Sequence, residues 1–494
     1  MKRLFLPLAL ALTAAGCVGP DFTPPTAPGI ATYTADPLPE TTAAADVWGG
    51  QMQRIAAERD IPGQWWSLFH SPAINALIER ALVANADLKA SRAALRVADE
   101  NALAQAGGWW PTLAGGFGAA RQKTLASAGT NSAAGGHNSV YNLYTAQVGI
   151  SYAPDIWGGI SRQVESADAQ AEAARFQMEA AALTLTTNVA LAAIQEASLR
   201  GQIEATGEIV ALGEQSLDIL RKRFALGQVA RADVLAQEAA VAQQRQSLPG
   251  LHRQLVQQRN LLAVLCGTPP SEPPAETFEL SAIDLPEELP VSLPSRLVEQ
   301  RPDIRAAAAN LHAATAQVGI AIANRLPLIN ITAGQGSSAA FTDGKLGLFT
   351  PGTGFWALSG NLTQTLFDGF SLMHRQRAAE AGLDLAAAQY RSVVLGAFQN
   401  VADVLTALQR DAETLAAAVE AEHAAAGNLT ITRRQLELGA VGTLTLLNAQ
   451  QAELQARLSV VQAQAARFAD SVALFQALGG GWWNRPKLAD AEQP

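Results

Sequence analysis

Apolar and polar residues alternate in two pairs of short stretches, and each pair leads into a long proline-free run with helical periodicity. In the first pair, Leu113, Gly115, Phe117 and Ala119 alternate with Thr112, Ala114, Gly116 and Gly118. Tyr144, Ala146, Val148, Ile150 and Tyr152 then alternate with Thr145, Gln147, Gly149 and Ser151. A period of two predicts strands with one apolar and one polar face, over 112–121 and 141–152. In the second pair Ile329, Ile331 and Ala333 alternate with Asn330, Thr332 and Gly334, and Trp356, Leu358 and Leu362 with Ala357, Ser359 and Asn361, predicting strands over 327–337 and 355–366. Loops over 127–139 and 341–354 separate the partners. Tyr144 and Tyr152 bound one apolar face, as interfacial girdle residues would. A soluble hairpin packing that face on a core is the alternative.

The helical runs are long. A helix over 73–106 ends at Gly107-Gly108-Trp109-Trp110-Pro111. No proline lies between Pro154 and Pro249, and one helix over 160–225 would measure about 100 Å at ~1.5 Å per residue. Such a length requires a coiled coil or an extended bundle. The return run carries Val234, Val241, Leu248, Leu255 and Leu262 at sevens, a coiled-coil seam. Pro249 interrupts it, which predicts two stacked segments in place of one rod. A second long helix from about Ser371 is followed by a seam at Leu447, Leu454, Val461, Phe468 and Phe475.

The two halves echo one another. Between the long helices stand tips over 224–231 and 436–443, where Leu226/Leu438, Gly227/Gly439 and Val229/Val441 match at 438 − 226 = 212. Glycine there suits the left-handed residue that ends a helix, and Arg221, Lys222, Arg223, Arg433 and Arg434 sit where a helix C-terminus favours cations. Read structurally, each tip is a helix turn that needs its glycine and a buried leucine. Asp87-Leu88 and Pro111 recur as Asp303-Ile304 and Pro327 at an offset of 216, and Asp155-Ile156-Trp157-Gly158 is answered by Leu366-Phe367-Asp368-Gly369. The seams recur at 213, one residue out of step with the tips. Echoes in one order mark an internal duplication: a first repeat over 63–267, a linker over 268–294 holding seven of the 24 prolines, and a second repeat over 295–481. A tail over 482–494 follows.

The N-terminus changes the picture. Lys2 and Arg3 precede an apolar run and then Thr13-Ala14-Ala15-Gly16-Cys17, a secretory signal over 1–16. Small residues before Cys17 are similar to the bacterial lipobox, with Ala14 in place of its usual leucine; a cut near Ala15 is the alternative. That resemblance implies that Cys17 becomes the acylated first residue, and Val18 in place of an aspartate implies release to the outer membrane. Residues 17–62, rich in Pro, Thr and Ala, read as a tether wrapping the body. No later segment offers the ~18 continuous apolar residues of a membrane helix. Open sheet edges cannot stand in lipid, so four strands per chain demand more than one copy to close a barrel.

Net charge of −9 argues against a nucleic-acid binder. Two cysteines, Cys17 and Cys266, are too few for a disulfide framework, and Cys266 reads as a small packed residue. His70, His137, His252, His312, His374 and His423 lack metal-ligand spacing, and no nucleophile elbow, phosphate loop or carboxylate pair stands out, so an enzyme is disfavoured.

Cys17-Val18-Gly19-Pro20-Asp21-Phe22, Trp65-Trp66-Ser67-Leu68-Phe69, Arg301-Pro302-Asp303-Ile304, Leu366-Phe367-Asp368-Gly369 and both tips together resemble the bacterial outer-membrane efflux factors of the TolC/OprM/NodT type, over nearly all of the mature chain. The resemblance implies a mainly α fold with a membrane β-barrel: a homotrimer whose four strands per protomer make a 12-stranded barrel, continued by duplicated long helical hairpins as an α-barrel. It implies an exit duct for small molecules such as drugs, partnered by a periplasmic adaptor (membrane fusion) protein and an inner-membrane RND-type pump. No cofactor is implied beyond N-acyl and S-diacylglycerol lipid on Cys17. Leu226, Gly227, Leu438 and Gly439 would meet the adaptor. The family's aperture residues match Leu444 and Asn448, four apart on one helix face, with asparagine where the family has an acid. An apolar plug at Leu444 follows, with a start of the coiled-coil seam as its alternative role. Asp233 opens the helix after the first tip, which reads as wall. A type I protein-secretion duct and a lipid-anchored coiled-coil scaffold remain as other functions.

Overall fold

A computed structural model describes residues 17–124, 139–342 and 345–485, apart from 31, 36, 38 and 58. The signal over 1–16, most of the loop over 127–139 and the tail beyond 485 lie outside the described residues. In chain order the elements are β1 (Arg54–Ala57), α1 (Pro72–Ala84), α2 (Ala86–Ala106), β2 (Thr112–Thr124), β3 (Ser139–Tyr152), α3 (Gly159–Ala225), α4 (Arg231–Leu265) and β4 (Glu288–Val291). There follow α5 (Pro294–Gln300), α6 (Pro302–Ala323), β5 (Leu328–Thr342), β6 (Lys345–Leu346), β7 (Gly354–Thr363), α7 (Ser371–Glu437) and α8 (Thr443–Ala477). Two compact units result, each drawing on both repeats: 17–24, 97–172 and 309–388 in the first, the remainder in the second.

The first unit is built on one antiparallel sheet in the order β2-β3-β5-β7, with the short β6 beside β5. Its register carries the alternation across all four strands. Leu113 pairs with Ile150, Ile150 with Ala333, and Ala333 with Leu358, which puts the apolar positions on one face. The neighbouring row is Thr112, Ser151, Thr332 and Ser359, and the Thr332 and Ser359 hydroxyls are 2.7 Å apart. Leu113, Phe117, Val148, Ile150, Trp356, Leu358 and Leu362 are all exposed, so the apolar face is not buried against a core of this chain. The soluble-hairpin alternative needs that core. Both strand-to-helix corners work alike: Asp155 accepts from the Ile160 and Ser161 amides and Asp368 from that of Leu372, with Gly158 and Gly369 at positive φ.

In the second unit the Trp65–Phe69 motif is a single 3-10 turn driven into the core. Trp65 stacks on Phe475 at 5.4 Å between ring centroids and Phe69 meets that ring edge-on. The tether is held by donors from the repeats. Arg467, fully buried, donates to the Gly49 and Gln51 carbonyls and to Thr42 Oγ1, and Gln409 donates to the Pro39 carbonyl. Desolvation lowers the Arg467 pKa to about 10, and the carbonyls offset part of that burial cost. The tail's Trp482 and Trp483 donate to Gln300 O and Asp60 Oδ1.

Four expectations change. The helix over 73–106 is two helices, because Asn85 stops the first and caps the second: its Oδ1 accepts from Leu88 N, and its Nδ2 donates to Leu265 O. Arg301 makes the same break 216 residues later, between α5 and α6. The two stacked segments at Pro249 are one helix, α4, with the proline inside it on an exposed face, where its ring-fixed φ is compatible with a helix. The tether and the linker are not featureless, since β1 pairs with β4 in parallel. At the top of the second seam Leu446 is buried, while Leu447 is only half-buried. By length and composition alone α6 is apolar enough to cross a membrane, although polar and charged residues interrupt it. Alanines lift that average, while its His312 bonds Glu165 and its Arg305 lies 4.8 Å over the Phe176 ring, so it is a packed helix. Cys266 is fully buried, and desolvation pushes its thiol pKa up.

Candidate functional site

The two long helices end in the same way. At the first tip Gly227 N donates to Phe224 O and Gln228 N to Arg223 O; at the second Gly439 N donates to Leu436 O and Ala440 N to Gln435 O. This is the Schellman pairing, which needs a left-handed residue after the helix. Gly227 and Gly439 supply it at φ 72° and 74°, with nothing within 4 Å of either position where a Cβ would go.

The tip leucines are not the buried ones. Leu226 is 73% exposed and Leu438 69%, whereas Val229 and Leu436 pack beneath them against Val234 and Leu446. The structural need for a buried leucine therefore falls, and the glycine requirement stands. Leu444, 69% exposed, and Asn448 share the outward face of the first turns of α8, while Thr443, Leu446, Ala449 and Gln450 hold its inward face. Within one chain Leu444 is therefore not among the packed residues of the seam. Cys17 is exposed, its backbone against Gly158.

Sequence reasoning missed the clasp between the tips. Arg223, in the last turn of α3, donates from Nη1 to Leu436 O at 3.1 Å and from Nη2 to Glu437 O at 3.2 Å. Those carbonyls belong to the last turn of α7, where the helix end is electronegative. Each such charge-assisted bond contributes about 1.5–3 kcal/mol where water is excluded and less at this exposed rim. Below the clasp, Gln237 Nε2 lies 3.4 Å from Gln450 Oε1 and 3.0 Å from Gly213 O, and Gln450 Nε2 donates to Ser216. These glutamines are repeat equivalents at 450 − 237 = 213, and that shared offset was the available signal. The tips differ in capping: Asp233 accepts from Ala230 N at 3.2 Å, but Gly442 offers α8 no side chain. Among the described residues no cluster of His, Cys, Asp or Glu is arranged to hold a metal.

The arrangement is a set of exposed leucines at two helix turns tied by one guanidinium. The family model described as outer membrane efflux protein matches residues 77–268 and 293–480, the two repeats in turn. The pyoverdine export outer membrane protein OpmQ of Pseudomonas putida is 30% identical over 90% of this chain and 94% of its own. The toluene efflux pump outer membrane protein TtgC of the same species is 29% identical over 98% and 97%. Among solved structures, the open state of the Neisseria gonorrhoeae MtrE outer membrane channel superposes with a TM-score of 0.80 at 26% identity, over 94% of this chain and 98% of that one. VceC from Vibrio cholerae gives 0.78 at 27%, over 86% and 100%. The chain belongs to the outer membrane efflux protein family, and it is an outer-membrane channel of an efflux system.

Proposed function

We propose that three copies of this chain form one exit duct, acylated at Cys17, which receives small molecules from a periplasmic adaptor and an RND-type inner-membrane pump. One observation carries the reading: a four-stranded sheet with a bare apolar face and, among the described residues, no partner on the outer edges of β2 and β7. A bare apolar face is stable against lipid, and lipid tolerates no open sheet edge. Edge pairing between copies closes the edges and leaves the apolar face turned outward to lipid, and three copies of four strands give twelve. Relatives named for pyoverdine export and toluene efflux support small molecules over proteins as cargo.

The hairpin tips are the adaptor-facing aperture of this duct. Leu444 from each copy forms an apolar constriction, and the Asn448 amides beside it hydrogen-bond passing water without imposing a charge. Arg223 holds the two hairpins of one copy together, and parting them breaks two bonds to backbone carbonyls. An adaptor that competes for the tips therefore biases a two-arrangement element.

Cysteine placed at 226 or 438 tests this in cells. It is expected to crosslink to the adaptor, while Gly227→Val, strained at positive φ by about 1–2 kcal/mol, weakens that crosslink and leaves SDS-resistant trimers. Crosslinks from position 109 and none from the tips would overturn the assignment.

A further inference from the structure

The first residues after Cys17 do not trail from the body; they fill a built seat in the first unit. Arg162, only 4% exposed, sits at its centre. Its Nη2 donates to Asp21 Oδ1 at 2.6 Å, its Nε to Val18 O at 3.3 Å, and its Nη1 to Glu165 Oε2 at 2.7 Å. Val18 N completes the backbone by donating to Trp157 O at 3.1 Å. The Phe22 ring stacks on His312 at 4.3 Å and 12°, and His312 is fixed by Glu165 at 2.9 Å. Every polar or aromatic side chain on the segment 18–22 therefore has a partner.

Three glycines make the fit close. A Cβ on Gly158 would lie 2.7 Å from the Cα and Sγ of Cys17, and one on Gly19 2.5 Å from the Cα of Gly319. One on Gly319 would lie 2.9 Å from Val18 O and from the Arg162 side chain. Trp157, Gly158, Arg162 and Glu165 come from the first repeat, His312 and Gly319 from the second. An extended chain with glycine second after the cysteine and a carboxylate two residues later fits this seat; a bulkier or uncharged one does not.

We propose that these six residues form a binding site for the chain's own processed N-terminus, an extended Val-Gly-Pro-Asp-Phe peptide headed by the acylated cysteine. Docking, not the acyl chains alone, fixes Cys17 beside the strand-to-helix corner at Gly158, and it staples the two repeats together there. The proposal rests on reading Cys17 as the first mature residue. Asp21, 90% exposed, contributes to the seat and to no core, so its removal separates docking from folding.

The test is hydrogen exchange by mass spectrometry on the purified full-length protein, with the mass of the N-terminal peptide reporting acylation separately. The Val18 amide and its neighbours are expected to exchange at least about tenfold more slowly than in Asp21→Asn or Phe22→Ala, with the rest of the chain unchanged. Cys17→Ser behind a non-lipoprotein signal is expected to keep that protection. An acylated segment that exchanges like a free peptide, or protection lost with the acyl chains alone, overturns docking and leaves the lipid reading intact. A protected but unacylated segment supports docking and removes only the lipid.

Discussion

Leu444 and Leu446 lie two residues apart on one helix and face opposite ways, so the proposed aperture residue can be tested separately from the packed one. Leu446 is 1% exposed among Leu429, Leu436 and Ala449, whereas Leu444 projects from the hairpin. Truncating a buried leucine costs about 2–5 kcal/mol, while an exposed one changes stability by no more than about 0.5 kcal/mol. Leu446→Ala is therefore expected to lower the denaturant midpoint clearly, and Leu444→Ala to leave it in place. Equal losses would return Leu444 to the seam. The left-handed glycines were legible in sequence because only a turn explains Gly227 and Gly439 at one offset. The Arg223 clasp was not, because an arginine near a helix end is ordinary and its partners here are backbone carbonyls, which leave no trace in sequence.

Between elements, the pairing of α7 with α8 contains a titrating contact. Asp470 on α8 is pushed up from 3.8 to about 7, first by desolvation and then by the charge and hydrogen bond of Asp411 on α7. An acid with a raised folded-state pKa binds more protons folded than unfolded between about pH 4 and pH 7. Its contribution is therefore full below that window and falls as pH rises through it. Asp470→Asn is expected to flatten the drop in melting temperature between pH 5 and pH 8; an unchanged slope would assign the drop to other groups. The same scale marks the limits of periodicity. Four amphipathic strands and two 67-residue helices announced themselves, because their patterns persist for many residues. The four-residue β1 and β4 did not, since their pairing depends on contacts more than 200 residues apart and one of them contains Pro290. Pro249 misled because an interior proline either kinks a helix or breaks it, and periodicity does not report which.

For the whole molecule, a duplicated chain yields two hairpins alike in wall and unlike in rim. Asp233 caps the helix after the first tip, while the second exposes Leu444 and Asn448 beyond an uncapped glycine. Both hairpins meet at Arg223, and in the proposed duct this rim, not the barrel, limits passage. Planar-bilayer conductance of the purified protein decides between rim and barrel. The wild type is expected to rest at low conductance, Leu444→Ala to raise it, and Leu444→Ala with Arg223→Met to raise it several-fold further. A double variant that conducts no better than the wild type would contradict an aperture at the hairpin tips.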